Sequence, residues 1–336
     1  KYTKNGTLIP EGTGEITGVG SNQTTGTTPW SSTSIRIATG NSAGSGQASK
    51  TTRSFDFRPY AKRFYIGEDY SLRLSSSNPR LVNFFNGFKS MTDIDFTNFD
   101  TSVATTTHGM FQGCTSLKNI DFTQFDTTKV DTMSNMFYQC TGLETLDISS
   151  FDVSSVTTMS SMFRQCSLVE EIKLPSVWNS SNCGNMSSMF QDCPKLKHVD
   201  LVKFNTANVT NLANMFYGCS NIKDLDFSSF NTTKATSLAS MLQGCTSLTY
   251  ANMRSFDLPV VGSMNAMFSG CTNLETVLFK SDLNSVSLTD ITNMFYNCHK
   301  VKELDLSGMD VSHITANMQG VFQNCLAVEE VDLSTW

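Results

Sequence analysis

The residues of this 336-residue chain best equipped for chemistry are its ten cysteines, which could serve as disulfides, zinc ligands or nucleophiles. Nine of them, at positions 114, 140, 166, 193, 219, 245, 271, 298 and 325, recur every 26 or 27 residues. Only Cys183 stands outside the series. Spacing of this kind marks a repeat protein whose equivalent residues stack into columns. Side chains on stacked coils leave in parallel, so their Cβ atoms stay about one coil rise apart. That is roughly 4.8 Å, whereas a disulfide needs about 3.8 Å. No C-x-x-C word offers a zinc site. The column reads as reduced thiols in a core, with bridging or metal binding by some of them as the alternative. Cys183 takes the position of Val130, Val156 and Val209 and reads as a core substitute.

Catalysis finds little support. His108, His198, His299 and His313 occupy four different places in the repeat frame and four different coils, so they cannot converge on one nucleophile. No phosphate-binding Gly-rich loop, G-x-S-x-G or H-E-x-x-H word occurs. The expectation is a protein that is not an enzyme and uses no cofactor or metal.

A carboxylate column carries more information. The outward position of successive strands holds Asp95, Asp121, Asp147, Lys173, Asp200, Asp226, Asn252, Leu278, Asp305 and Asp332, and a flanking column includes Tyr250. Carboxylates one coil apart repel unless neighbours or cations compensate. Three readings stand open. The stripe is a solvated face whose Asp side chains bond adjacent Ser and Thr, a binding face for a basic or glycan partner, or a track for calcium. A single column lacks the convergent oxygens of a calcium site. As binding candidates we take Asp95, Asp121, Asp147, Asp200, Asp226, Tyr250 and Asp305.

The elements that position these side chains follow from the repeat. Each cysteine closes a common word: Met110-Phe111-Gln112-Gly113-Cys114, Met136-Phe137-Tyr138-Gln139-Cys140, and so on to Val321-Phe322-Gln323-Asn324-Cys325. Phe85 and Phe88 begin a degraded copy 26 residues earlier. After Cys140, the residues Leu143, Leu146, Ile148 and Phe151 spell L-x-x-L-x-L-x-x-F, and the alternation at Leu146 and Ile148 predicts a short strand. Val156, Met159, Met162, Phe163 and Cys166 step by three or four, which predicts a short helix with one buried face. The repeated Met next to the repeated Phe reads as core packing.

The words LDISSFDVSSVTTMSSMFRQC and LDFSSFNTTKATSLASMLQGC resemble the 26-residue leucine-rich repeats of BspA-type bacterial surface proteins over about residues 84–336. Departures are the missing Met-Phe-x-x-Cys word at 84–88 and single extra residues near Pro175–Trp178, Asp282–Leu288 and Met309–Thr315. The expected fold is an α/β solenoid, a leucine-rich-repeat stack of about ten coils with one short parallel strand and one short helix each. At roughly 4.8 Å per coil such a stack is about 45–50 Å long. The resemblance implies a cell-surface or secreted protein that adheres to host proteins, glycans or other cells.

The ends differ from the middle. Residues 1–52 hold 31 Ser, Thr, Gly and Asn and read as a polar arm or linker. Residues 53–83 interleave Phe55, Phe57, Tyr60 and Phe64 with Arg53, Arg58, Lys62 and Arg63, and read as a cap on the solenoid at 84–336. Residues 1–90 carry 11 Lys and Arg against 5 Asp and Glu, a net of +6. Residues 91–336 carry 13 against 25, a net of −12, which returns the whole-chain −6. The acidic balance argues against nucleic acid as a partner. No run of 18 apolar residues is present to span a membrane as a helix. The sequence stops at Trp336, in mid-repeat, which reads as a truncation or an open end filled by another molecule. A basic front and an acidic back suit head-to-tail contact, so a filament subunit joined through Phe55, Phe57, Arg58 and Trp336 is the alternative function.

Overall fold

The computed structural model describes residues 7–8, 14–16, 61–66, 72–74, 76, 79–314 and 318–333. Most of the polar arm lies outside these residues, as do Phe55, Phe57, Arg58 and Trp336. The chain winds as a β-solenoid of about ten coils. The short strands Asp93–Asp95, Asn119–Asp121, Thr145–Asp147 and Glu171–Lys173 come one per coil, and Tyr250–Asn252, Thr276–Leu278 and Glu303–Asp305 continue them. Pairing is parallel and one repeat apart: Asp95 lies beside Asp121, Asp147 beside Lys173, and Tyr250 beside Thr276. Leu146 and Ile148 are buried and Asp147 between them is exposed, as the alternation predicts. After Cys193 no strand forms at 198–200, and a single 3-10 turn follows at Leu201–Lys203. A second ladder of isolated bridges runs Thr106, Thr132, Thr158, Asn185, Asn211 and onward to Asp290. The ladders extend back into the N-terminal region. Thr7–Leu8 pairs with Arg63–Phe64, which pairs with Asp93–Asp95, while Gly14–Ile16 pairs with Leu72–Leu74.

The expected helix in each coil is absent, so the α/β class gives way to an all-β solenoid. Among the described residues, the only helical segment is the 3-10 turn at Leu201–Lys203. Two residues of each repeat explain this, the one just before the Met of the Met-Phe-x-x-Cys word and the one just before its Cys. Asn135 (φ 57°) and Gln139 (φ 61°) are left-handed, as are Ser161 and Gln165 one coil on. A right-handed helix tolerates neither. The N–H groups then alternate in destination. Met136, Tyr138 and Cys140 donate within the coil to Met133, Asn135 and Phe137, closing tight turns at 3.2, 3.0 and 3.0 Å. Asn135, Phe137 and Gln139 donate to Ser160, Met162 and Arg164 of the next coil at 3.0, 2.9 and 2.9 Å. The three-and-four spacing of apolar residues reports this chain of turns, and Val156, Met159, Met162, Phe163 and Cys166 are all buried, as a core-facing stripe requires.

The core is a set of columns. Phe111 and Phe137 stack at 5.3 Å and 13°, Phe190 and Phe216 at 5.2 Å and 10°, Phe268 and Phe295 at 5.2 Å and 2°. Leu242 interrupts the column. Beside it the thiols are free, and each donates to a carbonyl of the preceding coil: Cys140 to Phe111 at 3.0 Å, Cys166 to Phe137 at 3.2 Å, Cys193 to Phe163 at 3.0 Å. Burial pushes the thiols of Cys114 and Cys166 up to about 12. Such thiols are un-ionised and inert in the folded chain. A column of buried hydroxyls does related work. Thr127 Oγ1 donates to the Asp152 carbonyl at 2.9 Å and accepts from the Asp152 N–H at 2.8 Å. Ser180 bridges to Asn205, Thr206 to Asn231 and Thr232 to Asp257 in the same way. Each buried hydroxyl thus ties two backbone groups that would otherwise lose their partners.

Candidate binding faces

The exposed side of the strand ladder carries the carboxylates. A strand end followed by a turn leaves an N–H two residues on, and a short acidic side chain can reach it. Asp95 Oδ1 accepts from the Thr97 N–H at 2.8 Å and Asp226 Oδ1 from the Ser228 N–H at 2.8 Å. Asp121 and Asp305 accept both the N–H and the hydroxyl of Thr123 and Ser307. These bonds hold Asp121, Asp226 and Asp305 below the usual carboxylate range, with the Thr123 and Ser228 N–H groups leading in the first two and the Ser307 hydroxyl in the third. For Asp147, partial burial works upward. The Lys173 ammonium at 2.8 Å and the Ser149 donors outweigh it and bring the carboxyl to about 2. These four carboxylates therefore stay ionised at any physiological pH.

Asp200 differs. It is half-buried ahead of the 3-10 turn and pairs with Lys203 at 3.3 Å. Tyr250 lies at the first position of its strand, beside Thr276, exposed and in the column flanking the carboxylates. The stripe brings Asp95, Asp121 and Asp147 onto successive coils, while Lys173, Asn252 and Leu278 interrupt it further on. Among the described residues, no group of three His, Cys, Asp or Glu side chains could hold a metal ion. No helix of the described residues is long and apolar enough to cross a membrane.

A second face was not singled out by the sequence reading. Next to the Met-Phe-x-x-Cys side runs a groove of about 560 Å³ that crosses six consecutive coils. One column along it is the left-handed residue before each cysteine, Gly113, Gln139, Gln165, Asp192 and Gly218. Lys89 and the hydroxyls of Thr115, Thr141 and Ser167 form the other. The signal was present in the sequence. Gly, Asp or Asn stands immediately before seven of the nine cysteines of the series, the residues that most readily take a left-handed position, and Gln139 and Gln165 fill the other two.

Among solved structures the chain is similar to a leucine-rich repeat protein from Bacteroides ovatus, with 15% identity, 83% of this chain and 74% of that one covered, and a TM-score of 0.42. It is also similar to a leucine-rich cell surface protein from Faecalibacterium prausnitzii, with 15% identity, coverage of 82% and 85%, and a TM-score of 0.36. A leucine-rich repeat protein from Eubacterium ventriosum gives 17% identity, coverage of 80% and 83%, and a TM-score of 0.36. No curated protein matches. The family described as "Mycoplasma protein of unknown function, DUF285" matches three overlapping spans, residues 80–173, 167–280 and 236–336. These spans take in every Met-Phe-x-x-Cys word and the whole regular stack, and the chain belongs to that family.

Proposed function

We propose that this chain is a non-enzymatic binding protein, displayed on or secreted from a cell, that adheres to a host protein, a glycan or another cell. The observation that carries the proposal is the stripe of Asp95, Asp121, Asp147, Asp226 and Asp305. Each commits one oxygen to its own turn. Charges already held in place lose little side-chain freedom on docking and steer a basic partner toward one face. The BspA-type resemblance of the repeats supports the extracellular setting.

The test replaces Asp121, Asp147, Asp200 and Asp226 by Asn, which keeps an acceptor oxygen for the turns of Asp121, Asp147 and Asp226 and removes the Asp200–Lys203 ion pair. Beads coated with the full chain are measured for attachment to polylysine and to cultured animal cells at 50 and 300 mM salt. The parent should attach in a salt-sensitive manner and the variant at least tenfold less at low salt. Equal attachment would remove the stripe from the function. Head-to-tail filament formation is the second reading, favoured by the net of +6 over residues 1–90 against −12 over the rest. Negative-stain microscopy of the same preparation separates the two, since polymers favour the filament and discrete particles favour adhesion.

A further inference from the structure

The groove before the cysteine column has a length, a direction and a chemistry. Its lining residues repeat at the coil interval, from Lys89 to Gly218, so it runs parallel to the stack over five rises, about 24 Å at roughly 4.8 Å each. Its central side chains are two amides, with Gln139 Nε2 donating to Gln165 Oε1 at 3.0 Å. That bond holds the pair in place and still leaves the pair with a free amide acceptor and free N–H donors, whichever way the amides are turned. Thr115 and Thr141 spend their hydroxyl hydrogens on the Lys89 and Thr115 carbonyls, at 3.4 Å each, and keep lone pairs toward the groove. The charges cancel: Lys89 stands at one end, and Asp192, which accepts from Gln191 at 3.3 Å, stands toward the other.

Backbone recognition is closed off. The N–H groups of Gln139, Gln165 and Asp192 already donate to Arg164, Gln191 and Tyr217 of the next coil, at 2.9, 2.7 and 2.7 Å. An added peptide strand would find no free edge. What remains is a trough of amides, hydroxyls, glycine Cα atoms and the Pro194 ring, with no net charge and a repeat of one coil. A polymer that both donates and accepts at every unit, presents C–H faces between its polar groups and carries no charge answers each of these features.

We propose that the groove through Gln139 and Gln165 binds an extended neutral polysaccharide laid parallel to the solenoid axis. This goes beyond the adhesion reading, because it concerns a different face from the carboxylate stripe and a neutral polymer where that stripe steers a basic partner. Loss of either leaves the other standing.

Calorimetry of the full chain with cello-, manno-, xylo- and laminari-hexaoses tests it, with oligogalacturonate and chitosan oligomers as charged controls. At least one neutral hexaose should bind, and its trimer at least tenfold more weakly, since the trimer spans only part of the groove. Replacing Gln139 and Gln165 together by Gly installs the residue found at Gly113 and Gly218 of the same column, so the turn geometry is retained. That variant, and separately Ser167→Trp to fill the trough, should each weaken binding at least tenfold. Replacing Asp121 and Asp147 by Asn should leave it unchanged. The proposal is overturned if no neutral hexaose binds, if a charged oligomer binds more tightly than all of them, or if the glycine pair leaves binding intact. Should Ser167→Trp fail to fold, the glycine pair alone decides.

Discussion

A hydroxyl in the wrong place inside a protein is costly, yet here a buried Thr or Ser recurs coil after coil. Thr127 shows why: its oxygen closes both a donor and an acceptor of Asp152, one coil away. Thr127→Val keeps the shape and removes both bonds, and should destabilise by about 1–3 kcal/mol, while Thr127→Ser should cost less than about 1 kcal/mol. Urea midpoints of the three proteins check this, and equal loss in both variants would mean that packing, not hydrogen bonding, fixes the residue. Three described coils carry an apolar residue there instead, Val153, Leu258 and Val311. At Leu258 the chain compensates, its own N–H donating to the Asn284 carbonyl at 2.9 Å while the Asn284 N–H reaches Asp257 Oδ1 at 3.2 Å. Little of this was legible beforehand, because Thr and Ser between Asp and Asn have the composition of any loop. The carboxylates were easier, since Asp followed two residues later by Ser or Thr is itself a turn signal.

At the scale of the element, the strand was readable and its companion was not. Alternation across Leu146, Asp147 and Ile148 has one interpretation, a short strand with one buried side. The three-and-four spacing from Val156 to Cys166 has two, because consecutive tight turns advance the chain much as a helix does. Gly109 and Gly113, or Asn293 and Asn297, decide between them. Residues with poor helix propensity at four-residue intervals argue for left-handed positions, and all four have φ between 56° and 72°. Asn135→Val should therefore cost about 1–2 kcal/mol, since a β-branched residue resists the left-handed region, whereas Asn135→Gly should lie within about half of that. Denaturant unfolding of both variants provides the measurement. A helix at this place would reverse the order, because valine is the better helix former.

For the molecule as a whole, stability is the sum of coils and the contacts between neighbours. A whole repeat is then removable. Deleting residues 219–244 joins Gly218 to Cys245 and keeps every column in frame. The shortened chain should keep the same circular-dichroism spectrum per residue, unfold at a lower urea concentration, and show an m-value smaller by about one tenth. Loss of the fold would mean that one coil holds a role its neighbours cannot take over. The cysteine spacing made this architecture visible in the sequence, because a column is a property of the repeat and not of any single coil. What the spacing left open is the route the backbone takes between columns, which depends on left-handed residues that periodicity does not register.

The alternating donors described for the Met-Phe-x-x-Cys turns give the stack a polarity. In each coil the N–H groups of residues such as Met133, Asn135, Phe137 and Gln139 all point toward the following coil, while a row such as Thr157 to Asp131 returns the other way. Peptide dipoles in the forward rows therefore add along the axis and outnumber the returning ones, as they add along a helix but with the amide pole toward the C-terminal coils. This backbone field opposes the side-chain charges, whose basic excess lies over residues 1–90 and acidic excess over residues 91–336, and so softens the electrostatic contrast between the two ends. Lengthening the array moves the two poles apart without making either of them stronger.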